Sequence, residues 1–289
     1  MYGEMMREEY FKTNAKDWME GAYEGKRNLY PVGVHRLRIA KDIITEYADG
    51  KTLKILDVGC GGGKLCVELA KRGHTVHGID QSYQMLTLSR QLIHEQLGKS
   101  NNIKLSYGNF ESRTFKKNHY DVIVALGVIG YIKDKKSLFT LAKQSLKPGG
   151  LLIISCRNRL FNMFPTSIYI EDEISGGNAN HLIREIRNIY SLYTKKPFPK
   201  KPKESPSQQT PDEMIALGKE NGLETLSFRG VHPHFFTKEL SARLLEYEDS
   251  PLSLIWSSVF IVTLKKTTDG LITKRKQGGG SCHESHLHN

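Results

Sequence analysis

The stretch ILDVGCGGGKL, residues 55–65, governs how the rest of this chain is read. Ile55 and Leu56 run into Asp57, and five of the next six positions are glycine or cysteine. A short apolar run of this kind reads as a buried strand. The glycines that follow permit φ > 0 and remove the Cβ atoms that would block close backbone approach. KLCVELAKRG (64–73) then has helical spacing and stops at a glycine. Strand, glycine turn and helix together leave bare main chain beside a helix N-terminus, where a ligand can lie.

The same alternation extends outward from this turn. Strands are expected at 53–58, 75–80, 103–109, 120–127, 151–157, 224–231 and 254–266. Helices are expected at 64–73, 83–98, 135–146, from Thr210 onward, and over FTKELSARLLEYE. Strands and helices alternating through short loops predict a parallel sheet with helices on both faces, an α/β fold. Thr210 is placed to cap its helix, with Pro211 in the first turn. Before the sheet, HRLRIAKDIITEY puts Leu37, Ala40, Ile43, Ile44 and Tyr47 on one helical face. The organisation read from these patterns is a helical cap (1–50), a binding core (51–159), an insertion (160–210), completion of the core (211–266) and a disordered tail (267–289).

The bulk numbers set limits around this pattern. With 289 residues, 38% of them hydrophobic, the chain can bury one large core. The net charge of +11 favours anionic partners without choosing among phosphorylated metabolites, nucleic acid and acidic surfaces. Four cysteines without CxxC spacing point to no zinc ribbon and no disulfide framework, hence a reduced, cytoplasmic setting. MYGEMMREEYFK has no apolar signal-peptide core, and no run nears about 18 apolar residues, so no membrane span is expected. Cys282, His283, His286 and His288 gather soft and imidazole donors in the tail, which is read as adventitious metal affinity rather than a built site.

Two cofactors compete for the glycine turn. A dinucleotide fingerprint is G-x-G-x-x-G with a pyrophosphate on the helix dipole. Here the spacing is G-x-G-x-G (59, 61, 63), with Asp57 two residues before it. A carboxylate there repels a pyrophosphate and suits a cation, such as the ammonium and sulfonium of S-adenosylmethionine. Asp80 ends the next strand, HGID, about 20 residues on, where an acid can accept from ribose hydroxyls.

ILDVGCGGG, HGIDQS, YDVIVALGVIGYI and LKPGGLLIIS, in that order, resemble the motif set of class I S-adenosylmethionine-dependent methyltransferases. The resemblance covers roughly residues 30–157 and implies a Rossmann-like, doubly wound, seven-stranded sheet with an antiparallel last strand, a helical cap and a lid insertion. It implies that Gly59, Cys60 and Gly61 back the amino acid part of the cofactor, with Asp57 holding that end. Asp80 takes the ribose, Gln81 and Met85 flank the adenine, and Asn109 and Phe110 meet its ring. Leu126 and Val128 close the pocket, Arg38 pairs with the cofactor carboxylate, and Tyr30 lies over it.

The acceptor is read from what surrounds this core. The base-methylating signature [DNS]-P-P-[YFW] is absent after the fourth strand, where ALGVIGYI stands. Asp121 lies at the wrong end of its strand for a catalytic metal, and no metal is expected. RGVHPHFF offers His232 and His234 as general bases at the carboxyl end of the sheet. Arg157, Asn158 and Arg159 suit an anionic group on the acceptor. Tyr10, Trp18 and Tyr23 are candidates for an aromatic lid, with His181 and Arg184 behind them. The layout is similar to small-molecule methyltransferases of the ubiquinone-biosynthesis type and of polysaccharide or natural-product pathways. The expected acceptor is therefore an O or N atom of a small, anionic or sugar-like metabolite. The alternatives are an RNA methyltransferase docking through basic segments such as KKPFPKKPK, and a protein that binds the cofactor without catalysis.

Overall fold

The computed structural model describes residues 32–99, 102–160, 207–231 and 253–268, with 14–17, 19–21, 23 and scattered positions between 176 and 197. In chain order the elements are α1 (Val32–Ala48), β1 (Lys54–Val58), α2 (Lys64–Lys71), β2 (Thr75–Asp80), α3 (Tyr83–Leu97) and β3 (Ile103–Tyr107). They continue as β4 (Tyr120–Leu126), α4 (Lys136–Ser145), β5 (Leu146–Arg157), α5 (Pro211–Glu220), β6 (Leu223–Val231), α6 (Ser253–Trp256) and β7 (Val259–Lys266). Short 3-10 turns follow β3 (Phe110–Ser112) and β4 (Ile129–Tyr131).

The seven strands form one sheet in the order β3-β2-β1-β4-β5-β7-β6. β1 pairs in parallel with β2 on one side and β4 on the other, so successive connections run in opposite directions from it. That reversal opens a crevice at the carboxyl ends of β1 and β4, the usual ligand position in such sheets. β7 runs antiparallel to both β5 and β6, which leaves β6 parallel to the rest.

Strand period 2 sorts the core residues onto the two faces. Leu56, Ile123, Leu152 and Phe260 join one buried cluster, while Ile55, Val122, Ile153 and Ile261 join the other. The second cluster takes in α1 through Ile39, Ala40, Ile43 and Ile44. The helix ends follow their local chemistry. Ser82 caps α3 by accepting from Met85 N at 3.3 Å. Thr210 and Glu213 form a reciprocal capping box at the start of α5, with Pro211 in the first turn.

Two expected elements differ. KPGG does not precede β5 as a free turn; it bulges within the strand. Tyr120 pairs with Leu146 and Val122 with Leu151, so residues 147–150 loop out opposite Asp121, held by a 2.7 Å Lys147–Asp121 ion pair. LIWSSVF does not begin a long strand, because Ser253–Trp256 is a helical turn. The Asn158 side chain fixes that turn by donating to the Leu254 and Ser257 carbonyls. The helix expected over FTKELSARLLEYE lies outside the described residues, as do Tyr10, Trp18, Tyr30, His232 and His234.

At the insertion, the chain leaves at Leu160 and returns at Ser207. Ser207 N donates to Gly130 O at 2.9 Å, and Gln209 N donates to Arg157 O at 2.9 Å. Departure and return are therefore neighbours at the carboxyl end of β5. No helix among the described residues is long and apolar enough to cross a membrane.

Candidate active site at the glycine turn

The turn after β1 is tied to the end of β2. Gly59 N and Cys60 N both donate to Ile79 O, at 2.8 and 3.1 Å, and Gly61 N donates to Asp80 Oδ2 at 2.8 Å. Gly59, Gly61 and Gly63 all have positive φ, at 69°, 53° and 78°. Two of the three are also sterically confined. A Cβ on Gly59 would lie 2.4 Å from Val128 Cγ2, and one on Gly63 would lie 2.1 Å from Ser89 Oγ. Gly61 is different, since a Cβ there would meet nothing within 4 Å. Its bare main chain faces open space at the crossover crevice.

Two carboxylates stand beneath that space. Asp57, at the end of β1, is 3% exposed. Burial pushes its carboxyl up from an ordinary 3.8 to about 7; a hydrogen bond from Cys66 works against this, and the nearby Asp80 charge adds to it. The Cys66 thiol donates to Asp57 Oδ2 at 3.3 Å. Asp80 is raised too, by burial, while backbone N–H groups of Ser82, Gly61 and Gln81 hold it down. Ser82 N reaches Asp80 Oδ1 at 2.8 Å. Three backbone donors on a carboxylate with about four acceptor sites leave Asp80 a lone pair for a ligand hydroxyl.

A cation stands at the end of β4. Arg36 stands in α1, and its Nη1 lies 2.5 Å from where a Gly127 Cβ would sit, just past the end of β4. Its Nε is sealed from solvent and has no acceptor. Burial lowers its pKa; Tyr23 and Tyr131 oppose this, and the Arg157 charge adds to it. A buried guanidinium without a carboxylate is costly unless a ligand supplies the anion. Over the turn, helical residues 19–21 and 23 bring Met19 Cε within 2.5 Å of a notional Gly62 Cβ, and Lys64 Nζ lies 4.9 Å from the centre of the Tyr23 ring.

A family model described as a methyltransferase domain matches residues 49–222. The chain belongs to that family. It is a class I S-adenosylmethionine-dependent methyltransferase. It is 26% identical to the ubiquinone biosynthesis O-methyltransferase of Coxiella burnetii over 78% of this chain and 84% of that protein. It is 32% identical to the enzyme of the same name from Rickettsia canadensis over 48% of this chain, and the match spans 57% of that relative's length. The magnesium protoporphyrin IX methyltransferase of Synechocystis, solved with bound S-adenosylhomocysteine, shares the fold. Its TM-score is 0.61 at 17% identity, covering 91% of this chain and all of that one.

The methyltransferase has residues that fit its cofactor. The open face of Gly61, two acids at the strand ends and an anion-seeking Arg36 Nε match a ligand that carries hydroxyls, a cation and a carboxylate. Several sequence candidates stand near this crevice. Gln81 is exposed and Met85 buried at the start of α3, and Leu126 is half-buried at the end of β4. Cys60 turns its sulfur inward, 2.9 Å from a notional Gly78 Cβ, so only its main chain borders the open side. Asn109 spends its side chain capping the next turn, with Oδ1 accepting from Glu111 N at 3.0 Å. Phe110 is largely committed to the core.

Three assignments change. Arg38 does not reach the crevice; it lies on the outer side of α1, paired with Asp42 at 3.3 Å. Arg36, two residues earlier, is the arginine of α1 that stands beside Gly127. The signal was in the sequence, because Arg36 shares the 3–4 residue spacing of Ile39, Ala40 and Ile43. Asn158 is 1% exposed and fully engaged with main chain, so it is a structural residue rather than an acceptor ligand. Arg159 turns away to Glu213 on α5, at 3.4 Å. Tyr23 stands by Asp57, Cys66 and Arg36, at the glycine end of the crevice. Of the expected arginine pair on the rim, only Arg157 remains at the crevice.

Proposed function

We propose that this methyltransferase transfers the methyl group of S-adenosylmethionine to an O or N atom of a small-molecule acceptor. The observation that carries the reading is Gly61: a positive-φ glycine whose missing Cβ would touch nothing and whose N–H donates to Asp80. When bound, the cofactor supplies a methyl carbon on a positively charged sulfur, which an acceptor lone pair displaces in line. The chain's own work is alignment and exclusion of water.

In this reading Asp57 holds the cofactor ammonium, and Gly59, Cys60 and Gly61 border the amino acid part with main chain alone. Asp80 accepts from a ribose hydroxyl through the lone pair its backbone donors leave over. Gln81 and Met85 flank the adenine. Arg36, not Arg38, takes the carboxylate, which gives its Nε an acceptor. Met19 and Tyr23 roof the glycine end and keep water from it. A hydroxyl acceptor must also lose a proton, and His232 or His234 is assigned to take it. β6 ends at Val231, at the carboxyl edge of the sheet, and His232 is the next residue.

The curated relatives are named for ubiquinone biosynthesis, which favours an aromatic hydroxyl as the acceptor. Labelled S-adenosylmethionine, incubated with the protein and a cell extract split into metabolite, RNA and protein fractions, tests the reading. Label in the metabolite fraction supports it. Label confined to RNA or protein overturns it.

A further inference from the structure

A second guanidinium stands beside Arg36. The register pairs Leu126 of β4 with Ser155 of β5, and Ser155 Oγ accepts from Gly127 N at 2.7 Å. Arg157 lies two residues further along β5, on the same face as Ser155 by strand alternation. Arg36 Nη1 approaches Gly127 from α1, on that same face. Arg157 therefore extends past the strand end next to the Arg36 guanidinium, and the two charges are close enough to repel. Neither arginine has an ion-pair partner among the described residues. Arg159 and Arg38, by contrast, each have one.

Two like charges held together, one of them buried with an orphan Nε, call for more negative charge than one carboxylate supplies. The cofactor carboxylate answers Arg36. Arg157 is left over, exposed, on the β5 side, where the acceptor must approach the crevice. Tyr131, from the turn after β4, stands close to Arg36. We propose that Arg157 is a specificity residue that pairs with a carboxylate or phosphate on the acceptor, so that the methylated molecule is an anion. The proposal rests on the cofactor placement given above and extends it to the class of acceptor. A planar guanidinium can grip either anion through two parallel N–H bonds, and that fixes the acceptor's orientation as well as its charge.

The test uses the full chain saturated with S-adenosylhomocysteine, titrated with 4-hydroxybenzoate, phenyl phosphate and the neutral phenol. The expected result is a preference of about tenfold or more for an anion over phenol, as one charge-assisted pair provides. Arg157→Gln should erase that preference and leave S-adenosylhomocysteine affinity unchanged; the side chain is exposed, so the fold should tolerate the change. A larger gain for phenyl phosphate than for 4-hydroxybenzoate identifies the anion as phosphate, and the reverse identifies it as carboxylate. Equal binding of anions and phenol, or a preference that survives Arg157→Gln, overturns the proposal. So does weakened cofactor affinity in Arg157→Gln, which would give both arginines to the cofactor. If the wild type fails to bind S-adenosylhomocysteine at all, the fault lies earlier, in the cofactor placement, and this proposal falls with it.

Discussion

Asp57 should make cofactor binding depend steeply on pH, and the structure gives the size. Its carboxyl is buried and raised from 3.8 to about 7. In the free protein only about half of the molecules carry the charge at pH 7, and roughly a tenth do at pH 6. A bound ammonium needs the carboxylate, so affinity should weaken about fivefold from pH 7 to 6 and approach tenfold per further pH unit. Stability moves the other way. The folded form holds its proton more tightly than the unfolded form, so this contribution is present below 3.8 and is lost as pH rises through about 7. Fully charged and without a ligand, the carboxylate costs roughly 4 kcal/mol. Calorimetric titration with S-adenosylhomocysteine from pH 5.5 to 7.5, in wild type and Asp57→Asn, reads the first effect. Thermal unfolding of the two proteins over the same range reads the second, and their difference cancels groups such as His77, which burial holds down at about 4. 5′-Methylthioadenosine, which lacks the amino acid part, is the control. An equal slope for both ligands, or a slope that persists in Asp57→Asn, would refute the assignment.

Gly61→Val should lose cofactor binding by at least about tenfold while unfolding only modestly earlier; its φ of 53° strains the variant, but its Cβ meets nothing in the protein. Gly59→Ala should instead lower the unfolding temperature as well, because the new Cβ would lie 2.4 Å from Val128 Cγ2. Arg36→Met should weaken S-adenosylhomocysteine more than about tenfold, and Arg38→Met by less than about twofold; equal effects in titration would return the carboxylate to the outer arginine. Asn158→Ala should cost about 2–4 kcal/mol of stability in denaturant melts, since it strands the Leu254 and Ser257 carbonyls, and should leave cofactor affinity intact.

What the sequence made legible and what it did not divide along contact range. β2 and the start of α3 stand where their patterns put them, because a buried parallel strand and a serine-capped helix are written in adjacent residues. The glycine turn was legible for the same reason. Arg36 was missed although it lies on the helical face of Ala40 and Ile43, whereas Arg38 falls on the opposite side of the helix. Asn158 looked like a rim ligand because its partners, Leu254 and Ser257, are 96 and 99 residues away. The helical turn at Ser253–Trp256 was illegible for the matching reason, since what bends it lies at the end of β5. The KPGG bulge likewise depends on Asp121 meeting Lys147 across the sheet.

The position of β7 between β5 and β6 imposes an order of assembly. β6 is synthesised first, yet it has no edge to join until Val259–Lys266 has emerged and lined β5. The strands that carry Asp57 and Asp80 pair with one another through β1 to β4, but α1, which carries Arg36, packs on β6 and β7 as well as on β4. The end of β5 that carries Arg157 is flanked only when β7 arrives, because Arg157 pairs with Val259. On the ribosome, the arginine of α1 and the arginine at the end of β5 should therefore both wait for the last strand to emerge before they are fixed in place.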